Sequence, residues 1–366
     1  VLKTDFEVLL KVFHLMSGAP YGGVEQQAER VTALLQQNGD EQRVMLADNP
    51  ARAERFAAAG AITIEMQFPS RFAFLDRRRI NGVVRRFEPN LLISWTPDVA
   101  PLVEKGSFVH LGRIGATYDG AALAKCDHLL APTQARADIA VSAGWPASRV
   151  HILPQLPFAR AGKPVTPPIS RKTLYTPPTA KLVVTALRLV RGTGLETLLD
   201  AIARLSGTYL WIAGDGPDRA YLEAQAHEKG VKPRVRFLGW QPDLAPYVAV
   251  SDAFVYPARQ DDSSDAIVEA WGAGASVISA DSLGPGLLVK NGENGVLVPV
   301  DDAISMAEAI KRLCLDRDLA KKFAAAGRAV FDESYAEEKI AARYLELFKT
   351  LVAPGEPMNL TPAISG

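Results

Sequence analysis

Cysteine is almost missing: Cys126 and Cys314 are the only two in 366 residues. They are far apart and form no CxxC or metal-ligand spacing, which excludes a disulfide framework and a zinc ribbon and predicts a reduced, cytoplasmic setting. An excess of charge of either sign is also missing. Lysine plus arginine and aspartate plus glutamate each total 41, and a general nucleic-acid binder needs a basic surplus to neutralise phosphates. No apolar run approaches the ~18–20 residues that span a bilayer. A complete GxGxxG fingerprint is absent too. Gly214-Asp215-Gly216-Pro217 supplies two glycines but has Arg219 where the third belongs, which argues against a dinucleotide dehydrogenase. No acidic DxD-like cluster stands between strands, and no short repeat is visible. The chain opens on Val1 rather than Met, so the sequence is silent on any targeting segment.

What remains is an ordinary globular composition, 48% hydrophobic and 22% charged, with material for about two domains of roughly 150–200 residues each. Short apolar runs alternate with helical stretches. Glu7–Met16, Gln42–Ala47, Asn90–Trp95, Ser107–Leu111, His128–Ala131 and Val150–Leu153 read as buried parallel strands of a first sheet. Seven prolines from Pro154 to Pro178 then remove donors and block helix, the mark of a linker. A second series follows at Lys181–Ala186, Tyr209–Ala213, Val235–Leu238, Ala253–Tyr256, Ser276–Ser279 and Gly295–Pro299. The expected architecture is α/β, two Rossmann-like doubly wound domains facing across a cleft. The expected division is 1–158, a linker at 159–178, 179–335, and a tail at 352–366, with helix 336–351 crossing back to the first domain.

Three glycine or acidic segments suit a sugar nucleotide. Gly22-Gly23-Val24-Glu25 opens a helix after the first strand, where free N–H groups attract anions. In the second half, Arg188-Leu189-Val190-Arg191-Gly192-Thr193-Gly194 follows a strand, and guanidinium groups make bidentate, charge-assisted bonds to diphosphate. Asp261 and Glu269 stand eight apart, one on a loop and one in the following helix, and carboxylates accept from hydroxyls of ribose or hexose. Ser264 is the expected N-cap between them.

In this order the segments resemble the family-4 retaining glycosyltransferases of the GT-B fold, which include bacterial lipopolysaccharide and mannosyl transferases. The resemblance is carried by Gly22-Gly23-Val24-Glu25, Arg188-Leu189 with Gly194, Ala213-Gly214-Asp215-Gly216-Pro217, and Phe237-Leu238-Gly239-Trp240. Asp261 with Glu269-Ala270-Trp271 and Asn291-Gly292-Glu293-Asn294-Gly295 complete it. It covers nearly the whole chain. It implies transfer of a sugar from a nucleotide diphosphate to a glycan or lipid-linked acceptor, in surface-polysaccharide synthesis, with no metal or other cofactor. Arg188 would hold the diphosphate, Glu269 the ribose hydroxyls, and Asp261 the transferred sugar. Gly22 and Gly23 would approach the diphosphate, Gly214 belongs to a matching loop, and Gly239-Trp240 would lie near the base.

Two departures stand out. Thr193 occupies the place of a lysine, with Arg191 as the candidate replacement, and Asp261 replaces a glutamate. Ser263-Ser264-Asp265 is more polar than the family's usual stretch, which points to a different donor sugar. His110 ends a strand near the expected donor position but reads as structural. Arg71, Arg77, Arg78, Arg79, Arg85 and Arg86, interleaved with aromatics, form a candidate contact with an anionic membrane at its inner face. The other readings of the same sequence are a catalytically silent nucleotide-sugar-binding protein and a GT-B-fold nucleotide-sugar epimerase.

Overall fold

The computed structural model describes residues 9–17, 22–67, 73–115, 117–157, 167–259 and 264–353. Asp261, Ser263 and Arg71 lie outside the described residues, as does 158–166 of the proline-rich stretch. Contacts divide the chain into two compact units. One runs to Leu156 and is rejoined from Ile340 onward; the other is Pro157–Lys339.

The first unit is built on seven strands: β1 Lys11–Met16, β2 Glu41–Ala47, β3 Ile62–Met66, β4 Leu91–Ser94, β5 Val109–Arg113, β6 His128–Ala131 and β7 Val150–Ile152. All pair in parallel in the order β3-β2-β1-β4-β5-β6-β7. Parallel sheets need both faces covered, and the side chains alternate accordingly. Val12 and Met16 enter one core with Val44 and Leu91, while Phe13 and Leu15 enter another with Met45 and Leu92. The helix Glu337–Val352 closes the first of these cores with Ile340, Tyr344, Leu347 and Phe348, an i, i+4, i+7, i+8 stripe. Gln27 Nε2 donates to Tyr344 Oη (2.8 Å) and Arg343 Nη2 to the Ile152 carbonyl (2.9 Å), which fix its register.

The second unit has six strands: β8 Lys181–Ala186, β9 Thr208–Ala213, β10 Val235–Gly239, β11 Ala253–Tyr256, β12 Val277–Ala280 and β13 Val296–Val298. Their order is β10-β9-β8-β11-β12-β13. Val183, Leu210, Ile212, Ala253 and Val255 pack on one face; Leu182, Val184, Trp211, Phe254 and Tyr256 pack on the other. The later part of the proline-rich stretch is docked on this unit. Arg171 donates to the carbonyls of Val250 and Ala180 and pairs with Asp252, and Trp211 Nε1 donates to Thr176 Oγ1.

In both sheets the chain reverses direction of winding at the central strands, between β1 and β4 and between β8 and β11. Ligands of doubly wound sheets bind beyond the carboxyl ends of strands at such a switch point. Among the described residues no helix is long and apolar enough to cross a membrane.

Candidate active site

The switch point of the second unit is framed by the segments that leave β8 and β11. After β8 the backbone is zipped to the loop after β9. Leu187 N–H donates to the Ala213 carbonyl (3.1 Å), Leu189 N–H to Asp215 (3.1 Å), and Asp218 N–H back to Leu189 (3.1 Å). Leu189 is fully buried, and Arg188 beside it is exposed. Two glycines permit this closeness. Gly214 has φ +135° and Gly194 has φ +96°; a Cβ on the first would overlap the Leu187 carbonyl, and on the second the Pro257 carbonyl after β11. The three loops are therefore pressed together backbone to backbone.

Within this frame the Arg188 carbonyl accepts from Val190 N–H (3.0 Å), while its side chain makes no hydrogen bond or ion pair among the described residues. It precedes the helix Leu195–Ala203, whose N-cap, Gly194, offers no side chain to the first N–H groups. An unpaired guanidinium on the loop that leads into an uncapped helix N-terminus adds positive charge to that terminus's free donors. Arg191 is differently placed. Its N–H and Nε donate to Asp218 (3.0 and 3.2 Å), and its guanidinium stacks 4.1 Å above the Tyr221 ring. The Thr193 hydroxyl is spent on the Val190 carbonyl, 2.8 Å away. Arg191 thus belongs to the turn into the next helix.

On the β11 side, Ser264 is the N-cap of the helix Asp265–Gly272 and is buried, with φ +53°. Its side chain makes no capping bond to the helix. Asp265 and Glu269 are half-buried, Glu269 a little more than one turn in. Gly239 (φ +73°) ends β10, and its carbonyl accepts from Gly214 N–H (2.7 Å), so the half-buried Trp240 follows directly from the glycine-rich contact.

Arg259, the third residue after β11, is a cation to which the sequence reading gave no role. Its N–H donates to the Thr193 carbonyl (3.4 Å) and its Nε pairs with Asp301 (2.5 Å), which also accepts from Thr197 Oγ1 (2.9 Å). That contact holds the Asp301 carboxyl below the usual range. The available signal was position: an arginine just past a strand at the switch point.

In the first unit Gly22 caps the helix Gly23–Asn38, and Gln26 N–H donates to its carbonyl (3.1 Å). Glu25 folds back over Gly22, where a Cβ would overlap its carboxylate, and is buried close to the buried Arg52. Glu25 therefore shapes the turn and leaves Gly23 exposed.

His110 points into the core. Its Nε2 shares a hydrogen bond with Ser94 Oγ (2.8 Å) and lies 3.7 Å from Cys126 Sγ. Burial pulls His110 down to about 4 and pushes the Cys126 thiol up to about 12, so neither carries charge near neutral pH. His14 is likewise internal. Trp95 Nε1 donates to its Nδ1 (3.0 Å), which leaves the proton on Nε2 facing Gln42 Oε1 (3.1 Å) and fixes a neutral ring.

The basic helix Ala73–Phe87 is divided. Arg77 and Arg85 both pair with Glu104 (3.1 and 3.4 Å). Arg78, Arg79 and Arg86 are exposed and unpaired among the described residues, beside the exposed Phe74. A cavity of about 490 Å³ also runs along β10, lined by Leu174, Lys232, Val235, Phe237 and Tyr247 among others. It includes none of Arg188, Gly214, Trp240 or Glu269. The switch-point position and the unpaired arginine outweigh its size as a guide to chemistry.

Comparison with known proteins identifies the family and the fold. Residues 168–330 match the family described as "Glycosyl transferases group 1". The chain is 32% identical over 346 residues to the lipopolysaccharide core biosynthesis glycosyltransferase LpsE of Rhizobium meliloti, covering 92% of this chain and 98% of that protein. It is 29% identical over 349 residues to LpsD of the same organism, covering 94% and 99%. Among solved structures, HepE of Anabaena, determined with UDP and glucose, superposes with a TM-score of 0.81 at 18% identity, over 93% of this chain and 100% of that one.

Proposed function

The chain belongs to the group 1 glycosyl transferases and is a nucleotide-sugar-dependent glycosyltransferase of the GT-B fold, and from that premise we propose that it builds the lipopolysaccharide core, transferring its sugar with retention of configuration. The observation that carries the donor-site assignment is the unpaired Arg188 side chain on the loop between β8 and an uncapped helix, at the β8–β11 switch point. Arg188 holds the donor diphosphate. Glu269 accepts from the ribose hydroxyls, Asp261 contacts the transferred sugar, and the segment Ser263-Ser264-Asp265 sets the sugar preference. Gly214 and Gly239-Trp240 supply the wall near the base. On the first unit, the Gly22-Gly23 turn offers N–H groups to phosphate.

The chemistry needs no protein nucleophile. The sugar–phosphate bond breaks while the acceptor hydroxyl attacks from the same face, and its proton passes to the departing diphosphate oxygen. The protein's part is to stabilise negative charge growing on that oxygen with donors fixed in advance, usually the largest single term in such catalysis. Relatives named for lipopolysaccharide core synthesis along nearly the full length support the acceptor class.

A thermal-shift screen against UDP-, GDP-, ADP- and TDP-sugars tests the donor site. One base is expected to stabilise the chain, by about 2.7 kcal/mol at a hundredfold excess over Kd. No shift with any of the four would sink the assignment.

Arg78, Arg79 and Arg86 are proposed to bind anionic lipid. At about 1 kcal/mol each near such a surface, reversing all three to glutamate should release the protein from anionic vesicles in low salt, as raised salt should for the wild type. Sedimentation that is indifferent to both changes removes this contact.

A further inference from the structure

The loop over the switch point carries a second cation that the donor assignment leaves unused. Arg259 leaves β11 next to β8, the two strands being hydrogen-bonded neighbours. Its backbone bonds Thr193, and its Nη1 lies 3.6 Å from where a Cβ on Gly192 would stand, so the guanidinium rests against the loop that bears Arg188. Asp301 takes the Nε proton only. Both Nη groups are left without a hydrogen-bond partner among the described residues, and about a third of the side chain is exposed (32%). The anchor is itself built firmly: Asp301 sits at φ +63° and is tied to Thr197. Fixing one edge of a guanidinium while leaving its fork open is how an arginine is oriented toward an oxyanion. Arg191 is likewise held at Nε, by Asp218, but its guanidinium is stacked 4.1 Å over the Tyr221 ring and turned toward that helix.

We propose that Arg259 is a second anion-binding residue that grips the leaving diphosphate together with Arg188, supplying the charge absent at Thr193. This rests on the donor-site reading above. Calorimetric titration of the full chain with UDP, GDP, ADP and TDP, taking the one bound most tightly, provides the test. Arg259→Gln is expected to weaken it at least tenfold, and adding Thr193→Lys to that variant should recover most of the loss. Asp301→Asn removes the carboxylate charge but keeps an acceptor for Nε and the cation itself, and should stay within about threefold of wild type, since the charge-assisted contact to diphosphate, worth roughly ten- to a hundredfold in binding, is retained. If Arg259→Gln binds like wild type, or if Asp301→Asn loses as much and lysine at 193 restores nothing, Arg259 is only a structural partner of Asp301 and the inference falls alone. If wild type binds none of the four, the donor site falls and takes the inference with it.

Discussion

Replacing Arg188 with alanine should lower kcat for sugar transfer by about a hundredfold or more, the cost typical of removing one fixed donor to a developing oxyanion. The fold should be untouched, because the side chain is exposed and makes no hydrogen bond or ion pair among the described residues. Its charge matters most when the sugar–phosphate bond is breaking, so the loss belongs mainly in kcat. Glu269→Gln keeps the shape but removes the carboxylate proposed to accept from ribose hydroxyls. A hydrogen bond to a charged group contributes about 1.5–3 kcal/mol, so KM for the donor should rise roughly ten- to a hundredfold with a smaller change in kcat. Steady-state kinetics with the stabilising nucleotide sugar separate the two. An Arg188→Ala enzyme within threefold of wild type would remove the diphosphate role.

The second large effect is on stability. Alanine at Gly214 or Gly194 meets two penalties together: a backbone angle that side chains disfavour, and a Cβ driven into a carbonyl oxygen that belongs to the neighbouring loop. Gly207 provides the control, since its φ is +67° but nothing lies within 4 Å of its Cβ position. Alanine there should cost about 1 kcal/mol from the angle alone, against about 3–4 kcal/mol at Gly214 or Gly194. Urea unfolding of the three variants measures the difference. Equal costs would mean that the loops after β8, β9 and β11 are not pressed together as described.

The second sheet was legible because its strands are apolar on both faces and punctuated by glycine and proline, so all six were read near their observed positions. In the first sheet β3 was missed. Ile62–Met66 is an edge strand whose Ile62 and Glu65 are exposed, and without burial on both faces it lacks the continuous apolar run that marked its neighbours. The proposed donor loops stand out in sequence because glycine and arginine clusters follow strands. Where their side chains turn was not. Arg191 and Arg259 look equally available in sequence, yet one is held by Asp218, twenty-seven residues on, and stacked over Tyr221, while the other is held by Asp301, forty-two residues on. Long-range ion pairs leave no local pattern. His110, near the expected donor position but read as structural, does bond Ser94 inside the core.

Hydrogen–deuterium exchange with and without the stabilising nucleotide sugar tests the donor site most directly. Binding at the switch point should slow exchange in residues 188–196, 214–218 and 264–270. Protection confined to residues 169–174 and 232–238, around the β10 cavity, would place the ligand elsewhere and contradict the assignment to Arg188 and Glu269.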